Sequence, residues 1–231
     1  MAITEGAICA VSGAAGSLGS VTSASFDSTG AGGYLFFVAH EGTPTTYTWT
    51  DSKSTASGNF VSLGTVNLTV GTGANDLSMH CMFCWTPSVG TGHTVTVTFD
   101  AARPHRYIGG VCLNGTFSST FLSATTQTNQ NASLTATVDA GSLVTDAAAY
   151  LIQFGANYNG IAGSAAGSGW AFKSNASAGR QFQARNEATA STYDPVYTLT
   201  ATADWVTLAS AIKETAGGAV FKPRAMLLGV G

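Results

Sequence analysis

The residues of this chain whose chemistry could do work are four histidines, four cysteines and twelve carboxylates spread over 231 positions. Cys81 and Cys84 form a single Cys-x-x-Cys. A zinc site built on it would need a second cysteine pair or histidines at matching spacing, which Cys9 and Cys112 do not supply. A thioredoxin-like redox pair would need a βαβ context, and none surrounds it. Residues three apart in a strand point to opposite faces, so the two sulfurs diverge. The expectation is buried structural thiols, with a disulfide formed after export or lysis as the lesser alternative. His40, His80, His93 and His105 occupy or end strands. Three converging imidazoles would make a metal site, but the spacing of a cupin motif is missing, so they read as polar strand ends. His40-Glu41 opens like a zincin helix, yet Gly42 and Pro44 break any helix there.

The carboxylates Asp27, Asp51, Asp76, Asp100, Asp194 and Asp204 fall at turns, where aspartate is favoured without catalysis. No Gly-x-Ser-x-Gly elbow, Walker loop or Gly-x-Gly-x-x-Gly is present. We therefore expect no enzyme, no catalytic residue, no metal and no cofactor. One alternative site is aromatic: Tyr158, Trp170 and Tyr193 lie in or beside loops and could stack on a glycan. Against it, Trp49 and Trp170 also fit core anchors at strand ends. Asn157 and Asn159 could hold calcium but read better as asparagine turns.

The elements that must position these residues are strands. His93–Phe99 alternates strictly, with Val95, Val97 and Phe99 on one face and three threonines on the other. It reads as the second arm of a hairpin with 77–85, turned by Pro87 and Gly90. Tyr34–Ala39 is apolar on both faces, which places it centrally between two layers. Residues 41–76 look peripheral, with a strand at 45–50 and another at 60–70 that changes phase near Gly64, the mark of a bulge. Asn114-Gly115 is a strong hairpin signal. Residues 116–132 read as a surface excursion before a strand at 133–138. Residues 140–156 fit both helix and strand spacing; the strand from about 148 to 155 is preferred because nothing nearby is helical. A Gly/Ala/Ser loop at 157–169 precedes strands at 170–172, 181–186, 196–202 and 204–212. The sum is about 13 to 15 short strands with little helix, an all-β antiparallel sandwich, jelly-roll-like, in one domain.

Composition narrows the partners. Charged residues make up 9% of the chain and hydrophobic ones 45%, against about 25% charged in an average soluble protein. A Ser/Thr/Asn surface is more comfortable when other subunits cover part of it, so a homo-oligomer or assembly component is expected. Net charge of −3 gives no footprint for nucleic acid. The basic pairs Arg103/Arg106 and Lys222/Arg224 read as solvated loop charges. The N-terminal residues lack a secretory pattern and no apolar run is long enough for a membrane span, so synthesis in the cytoplasm and no membrane are expected.

Several stretches together carry a resemblance: the strand Gly-Gly-Tyr-Leu-Phe-Phe-Val at 32–38, the turn Trp-Thr-Asp at 49–51, the segment from Cys84-Trp85-Thr86-Pro87 to Phe99, and Ala-Asp-Trp-Val-Thr-Leu-Ala at 203–209. Over residues 15–212 the chain resembles the β-sandwich structural proteins of tailed-bacteriophage virions. The resemblance implies a virion location after synthesis in a bacterial host. It implies docking on a major capsid protein or on neighbouring structural subunits, and no catalytic residue. Head decoration is the leading expectation; a neck, tail or baseplate role, or a module binding host surface glycans, are the alternatives. Candidate docking residues are Ile3, Ile8 and Val11 in an extension at 1–12, and Met226, Leu227 and Leu228 in one at 219–231.

Overall fold

The two runs that are buried on both faces dictate the centre of the molecule. Gly33–Glu41 (β3) and Leu77–Trp85 (β6) pair antiparallel, Leu35 opposite Phe83 and Phe36 opposite Met82, and all but the last residue of each is buried. A strand with two apolar faces needs a layer on each side, and the computed structural model, which describes residues 3–42, 46–69, 76–176 and 179–215, supplies both.

Thr4–Ala14 (β1), Arg106–Asn114 (β8) and Phe60–Leu68 (β5) complete a five-stranded central sheet in the order β1-β8-β3-β6-β5. Leu18–Thr22 (β2), Tyr47–Asp51 (β4) and Val95–Arg103 (β7) form a three-stranded sheet, β2-β7-β4. Its Val95, Val97 and Phe99 pack on Tyr34, Phe36, Val38 and Met82 of the central sheet. The opposite face carries a large sheet ordered β12-β16-β11-β14-β13. It is built from Gly163–Ala165 (β12), Val196–Ile212 (β16), Ala149–Asn157 (β11), Arg180–Glu187 (β14) and Ala171–Ala176 (β13), and Gln127–Asp139 (β9) also pairs with β16. Leu143–Val144 (β10) and Thr192–Tyr193 (β15) make a short ribbon. Phe37 meets Phe154 at 4.9 Å between ring centroids, and Phe154 meets Phe182 at 5.4 Å, at the heart of the central-to-large interlayer.

The antiparallel all-β sandwich is thus what the chain forms, with a third layer added. Among the described residues the only helical turn is the 3-10 turn Ser57–Asn59. The bulge near Gly64 is present, as a register shift between Ser62 and Gly64. Residues 149–157 are strand, as preferred over helix.

Four readings of the strands and their connections need correction. Residues 77–99 are not a hairpin: β6 lies in the central sheet and β7 in the three-stranded one. β6, rich in large side chains on both faces, requires two neighbouring layers, whereas the alternating β7 requires one, so the connection crosses between layers. Asn114-Gly115 makes no hairpin either, because β8 is already paired on both edges, with β1 and β3. The excursion at 116–132 is shorter than expected. Phe117 and Phe121 are buried against Phe83, at 5.3 and 4.4 Å, and β9 begins at Gln127. Finally, 196–202 and 204–212 are one strand, β16, bent by a register shift between Thr198 and Ala203.

Arg106 is not a solvated charge. It is 2% exposed, and its guanidinium donates to the carbonyls of Gly16, at 3.1 and 2.6 Å, and of Ser20. A buried cation with three of its five N–H groups on carbonyls pins the 16–20 segment against the central sheet. Its neighbour Arg103 pairs with Asp100 at 2.9 Å.

Candidate functional site

The central and three-stranded sheets enclose three of the four histidines, with Ser28 and Asp51 beside one of them. Ser28, His93 and Asp51 stand in the order of a nucleophilic relay: Ser28 Oγ is 2.7 Å from His93 Nδ1, and His93 Nε2 faces Asp51 Oδ2 at 3.3 Å, out of line for a good hydrogen bond. Asp51 accepts from Tyr34 Oη at 2.7 Å and from the backbone N–H groups of Lys53 and Thr55. Burial alone would raise its carboxyl, but these hydrogen bonds outweigh it and hold Asp51 below the ordinary carboxylate range. For His93 the burial wins: its imidazole is held below its usual value despite the carboxylate beside it. The ring is stacked on Phe26 at 4.8 Å with Tyr34 edge-on.

Relay chemistry also needs open approach to the hydroxyl and donors aimed at an oxyanion. Ser28 is 1% exposed and His93 fully buried, and the Ser28 hydroxyl is already tied to Gly90 N–H and C=O. What the cluster does is fasten three turns, 27–30, 51–55 and 88–93, to one another. His40 and His80, expected as polar strand ends, are buried in the same interlayer; His105 is on the surface side and faces Glu41 at 3.7 Å. Among the described residues no three His, Cys, Asp or Glu side chains come together as a metal set.

The cysteines behave as the strand geometry requires. All four are buried and unpaired, and Cys81 and Cys84 belong to different cores on the two faces of β6. Burial pushes the Cys9 thiol up to about 11 and those of Cys84 and Cys112 to about 12. The thiolate is the reactive form. A thiol reagent at neutral pH is therefore expected to label none of the four in the folded chain and all four in denaturant, read by intact mass; labelling of native protein would contradict this placement.

An open concavity of about 490 Å³ lies at one end of the large sheet. Ile3, Ala147, Ala148, Ala149 and Ala188 line it with apolar surface, and Glu187, Lys213 and Glu214 stand at its rim. Lys213 is held by Asp146 at 2.5 Å, and Asp146 accepts from Ser123 Oγ at 2.7 Å. Two exposed apolar side chains, Leu122 (40%) and Val144 (66%), lie on the segments that this contact joins. The groove is therefore where the first and last described parts of the chain, at Ile3 and at Lys213–Glu214, meet.

The candidate docking residues are distributed accordingly. Ile3 is in the core beneath the groove, 7% exposed, whereas Ile8 is 42% exposed on β1. Val11 is half-buried, its backbone N–H bonded to Ser174 Oγ. The N-terminal stretch is thus an edge strand of the central sheet rather than a loose extension. Met226, Leu227 and Leu228 lie outside the described residues, as do Lys222 and Arg224.

Of the three aromatic candidates, Trp170 and Tyr193 come together around Arg185 and Tyr158 stands apart. Trp170 is 8% exposed and packs on Ala149, Leu151 and Ala211, with the Arg185 guanidinium 5.9 Å from its ring. Tyr193 stands on the other side of Arg185 at 5.1 Å and donates to Glu187. Tyr158 adjoins Asp204 at the far end of β11, about 20 Å away by strand rise. Asn157 closes a turn on Ile161, bonding both its N–H and C=O, which is the asparagine-turn reading.

The groove was not legible in the sequence, because alanines at 147–149 and 188 carry no signal until strands gather them. His80 could have been found. Period-2 alternation along β6 puts it on the face of Met82 and Cys84, so inside a layer contact.

No protein-family model matches the chain, and no curated protein matches it. Among solved structures, the PBSX exported protein XepA is similar over 91% of this chain and 86% of that one, at 8% identity and a TM-score of 0.25. A likeness of that size carries no argument about fold or function.

Proposed function

We propose that the chain is a non-enzymatic structural subunit of a tailed-phage virion, a head decoration or minor capsid protein that docks through the groove at the end of the large sheet. The observation that carries the reading is the convergence there of Ile3, the alanine-lined wall and the exit of the chain after Glu214. It puts an apolar recess beside Lys213 and Glu214, the residues after which the sequence runs on to Met226, Leu227 and Leu228. The low charge and the Ser/Thr/Asn surface support it, since such a surface suits burial against other subunits. So does the resemblance of residues 15–212 to phage sandwich proteins. The partner is the major capsid protein or a neighbouring copy in the same particle.

Two changes test it. Deleting residues 221–231 is expected to abolish incorporation into particles while the purified chain still folds. Ala148→Glu, an exposed groove position, places a charge in the apolar recess and also blocks incorporation. Normal occupancy of both variants in particles would sink the docking reading. The glycan-binding alternative is separated by a glycan array: saturable binding lost in Trp170→Ala, with the fold intact, would favour it.

A further inference from the structure

His80 sits between the central and three-stranded sheets with both ring nitrogens engaged. Trp49 Nε1 lies 3.0 Å from His80 Nδ1, and Ser62 Oγ lies 2.9 Å from His80 Nε2. An indole nitrogen only donates. His80 Nδ1 must therefore be the bare, accepting nitrogen, and its proton is on Nε2, donated to Ser62. Trp49 comes from β4 and His80 from β6, so this bond ties an edge strand of the third layer to the central sheet. Tyr47, also on β4, stacks on the same imidazole at 4.3 Å.

A second proton on His80 has one place to go, Nδ1, where it would point at the indole N–H. Two donors then face each other in a buried contact, the hydrogen bond is lost, and a charge is left inside. His40 differs. Its Nδ1 is 3.0 Å from the Glu41 carbonyl and its Nε2 is 3.1 Å from Tyr47 Oη, a hydroxyl able to donate or accept. His40 can take a proton and keep both contacts, as His93 can beside Asp51. The charged and titratable groups that face the His40–His80 pair are Tyr47 from β4, Arg103 and Asp100 from β7, Arg180 from β14 and Glu41 next to His40. Among the described residues no carboxylate bonds to either ring; after burial, His40 disfavours charge on His80, and Arg103 and Arg180 disfavour it on His40.

We propose that the Trp49–His80 contact is an acid-sensitive latch, whose protonation at Nδ1 releases β4 and with it the three-stranded sheet, while the central and large sheets stay packed. The separation follows from the layering: the central-to-large interlayer holds Phe37, Phe83, Phe154 and Phe182 and no histidine, whereas the other interlayer holds three. Burial lowers both His40 and His80 to about 4, which places the release in mildly to strongly acidic solution.

The test uses the full chain. Nitrogen-15 NMR of the His80 ring at neutral pH is expected to show an unprotonated Nδ1 and a protonated Nε2; the opposite tautomer overturns the latch. Hydrogen exchange, corrected for intrinsic rates, is expected to show β2, β4 and β7 losing protection on the order of tenfold or more by pH ~4. Strands β11, β14 and β16 should keep theirs. His80→Gln, whose amide can accept from Trp49 and donate to Ser62 without titrating, is expected to reduce that loss, leaving only the part that His40 carries. Loss of protection in all three sheets together, no loss by pH ~4, or an unchanged acid response in His80→Gln each overturns the proposal. Should His80→Gln fail to fold, Trp49→Phe serves: with the opposing donor gone, His80 should protonate at higher pH, and an unchanged ring titration overturns the proposal equally.

Discussion

Acidification from neutral pH to about pH 4 is expected to lower the unfolding free energy by several kcal/mol. His40 and His80 carry the effect. In the unfolded chain an imidazole titrates near 6.5, and in the folded chain burial lowers both to about 4. Between those values the unfolded state binds more protons, so stability falls as the pH falls. Above about 6.5 neither state is protonated and the curve is flat in these groups; below about 4 the full penalty is reached. A displacement of that size corresponds to roughly 3 kcal/mol per histidine as an upper figure, less for each because the two share a site. Domains of this kind have about 5–15 kcal/mol in hand, so the loss is a large share. Denaturant midpoints measured across this range check it. A midpoint that stays level from pH ~7 to ~4 would show that neither histidine is desolvated as described.

Gly155→Ala is expected to cost about 3 kcal/mol or more, near the upper end for overpacking. Gly155 lies on the outer face of the large sheet, where Tyr197 folds over β11. A Cβ built on Gly155 would sit 1.9 Å from Tyr197 Oη and 2.9 Å from Cζ. Tyr197 is 1% exposed and its hydroxyl accepts from Gln181 Nε2 at 3.2 Å, so it has no empty space to retreat into. Around it lies a buried polar layer: Gln183 donates to Gln153 Oε1 at 2.7 Å and to the Val196 carbonyl, and Gln153 donates to Thr207. Displacing the tyrosine would unsettle a network whose members cost most when half satisfied. The coupling is measurable. In a Tyr197→Phe background, where the nearest atom is gone, Gly155→Ala should cost clearly less than in the wild type. Equal costs in the two backgrounds would mean that the hydroxyl is not the obstacle.

Local patterns revealed a good deal of this molecule. Tyr34–Ala39, apolar on both faces, could only be a central strand, and it is one. The phase change at Gly64 marked a bulge, and the three-residue spacing of Cys81 and Cys84 sent them to different cores. Pairing partners were another matter. Leu77–Phe99 has the look of a hairpin because its two strands are close in sequence. Yet β6 is buried on both faces and joins the middle sheet, and β7 has one apolar face and joins a layer above it. Asn114-Gly115 has hairpin chemistry, but β1 and β3 occupy both edges of β8.

The candidate sites divide along the same line. His80 read as a polar strand end, although alternation along β6 was available to turn it inward; no local pattern could say that an indole N–H from another layer would choose its tautomer. Arg106 looked like a surface charge because nothing within a few residues shows three carbonyl bonds from the 16–20 segment. The groove is made of Ile3, the alanines at 147–149 and 188, and the residues following β16, which lie far apart along the chain. Strand type, facing and bulges follow from the period of neighbouring side chains, and the sequence determined those by itself. Which strands share a sheet, which turns share a polar cluster and where a recess opens are set by long-range burial, and only the tertiary structure decided them.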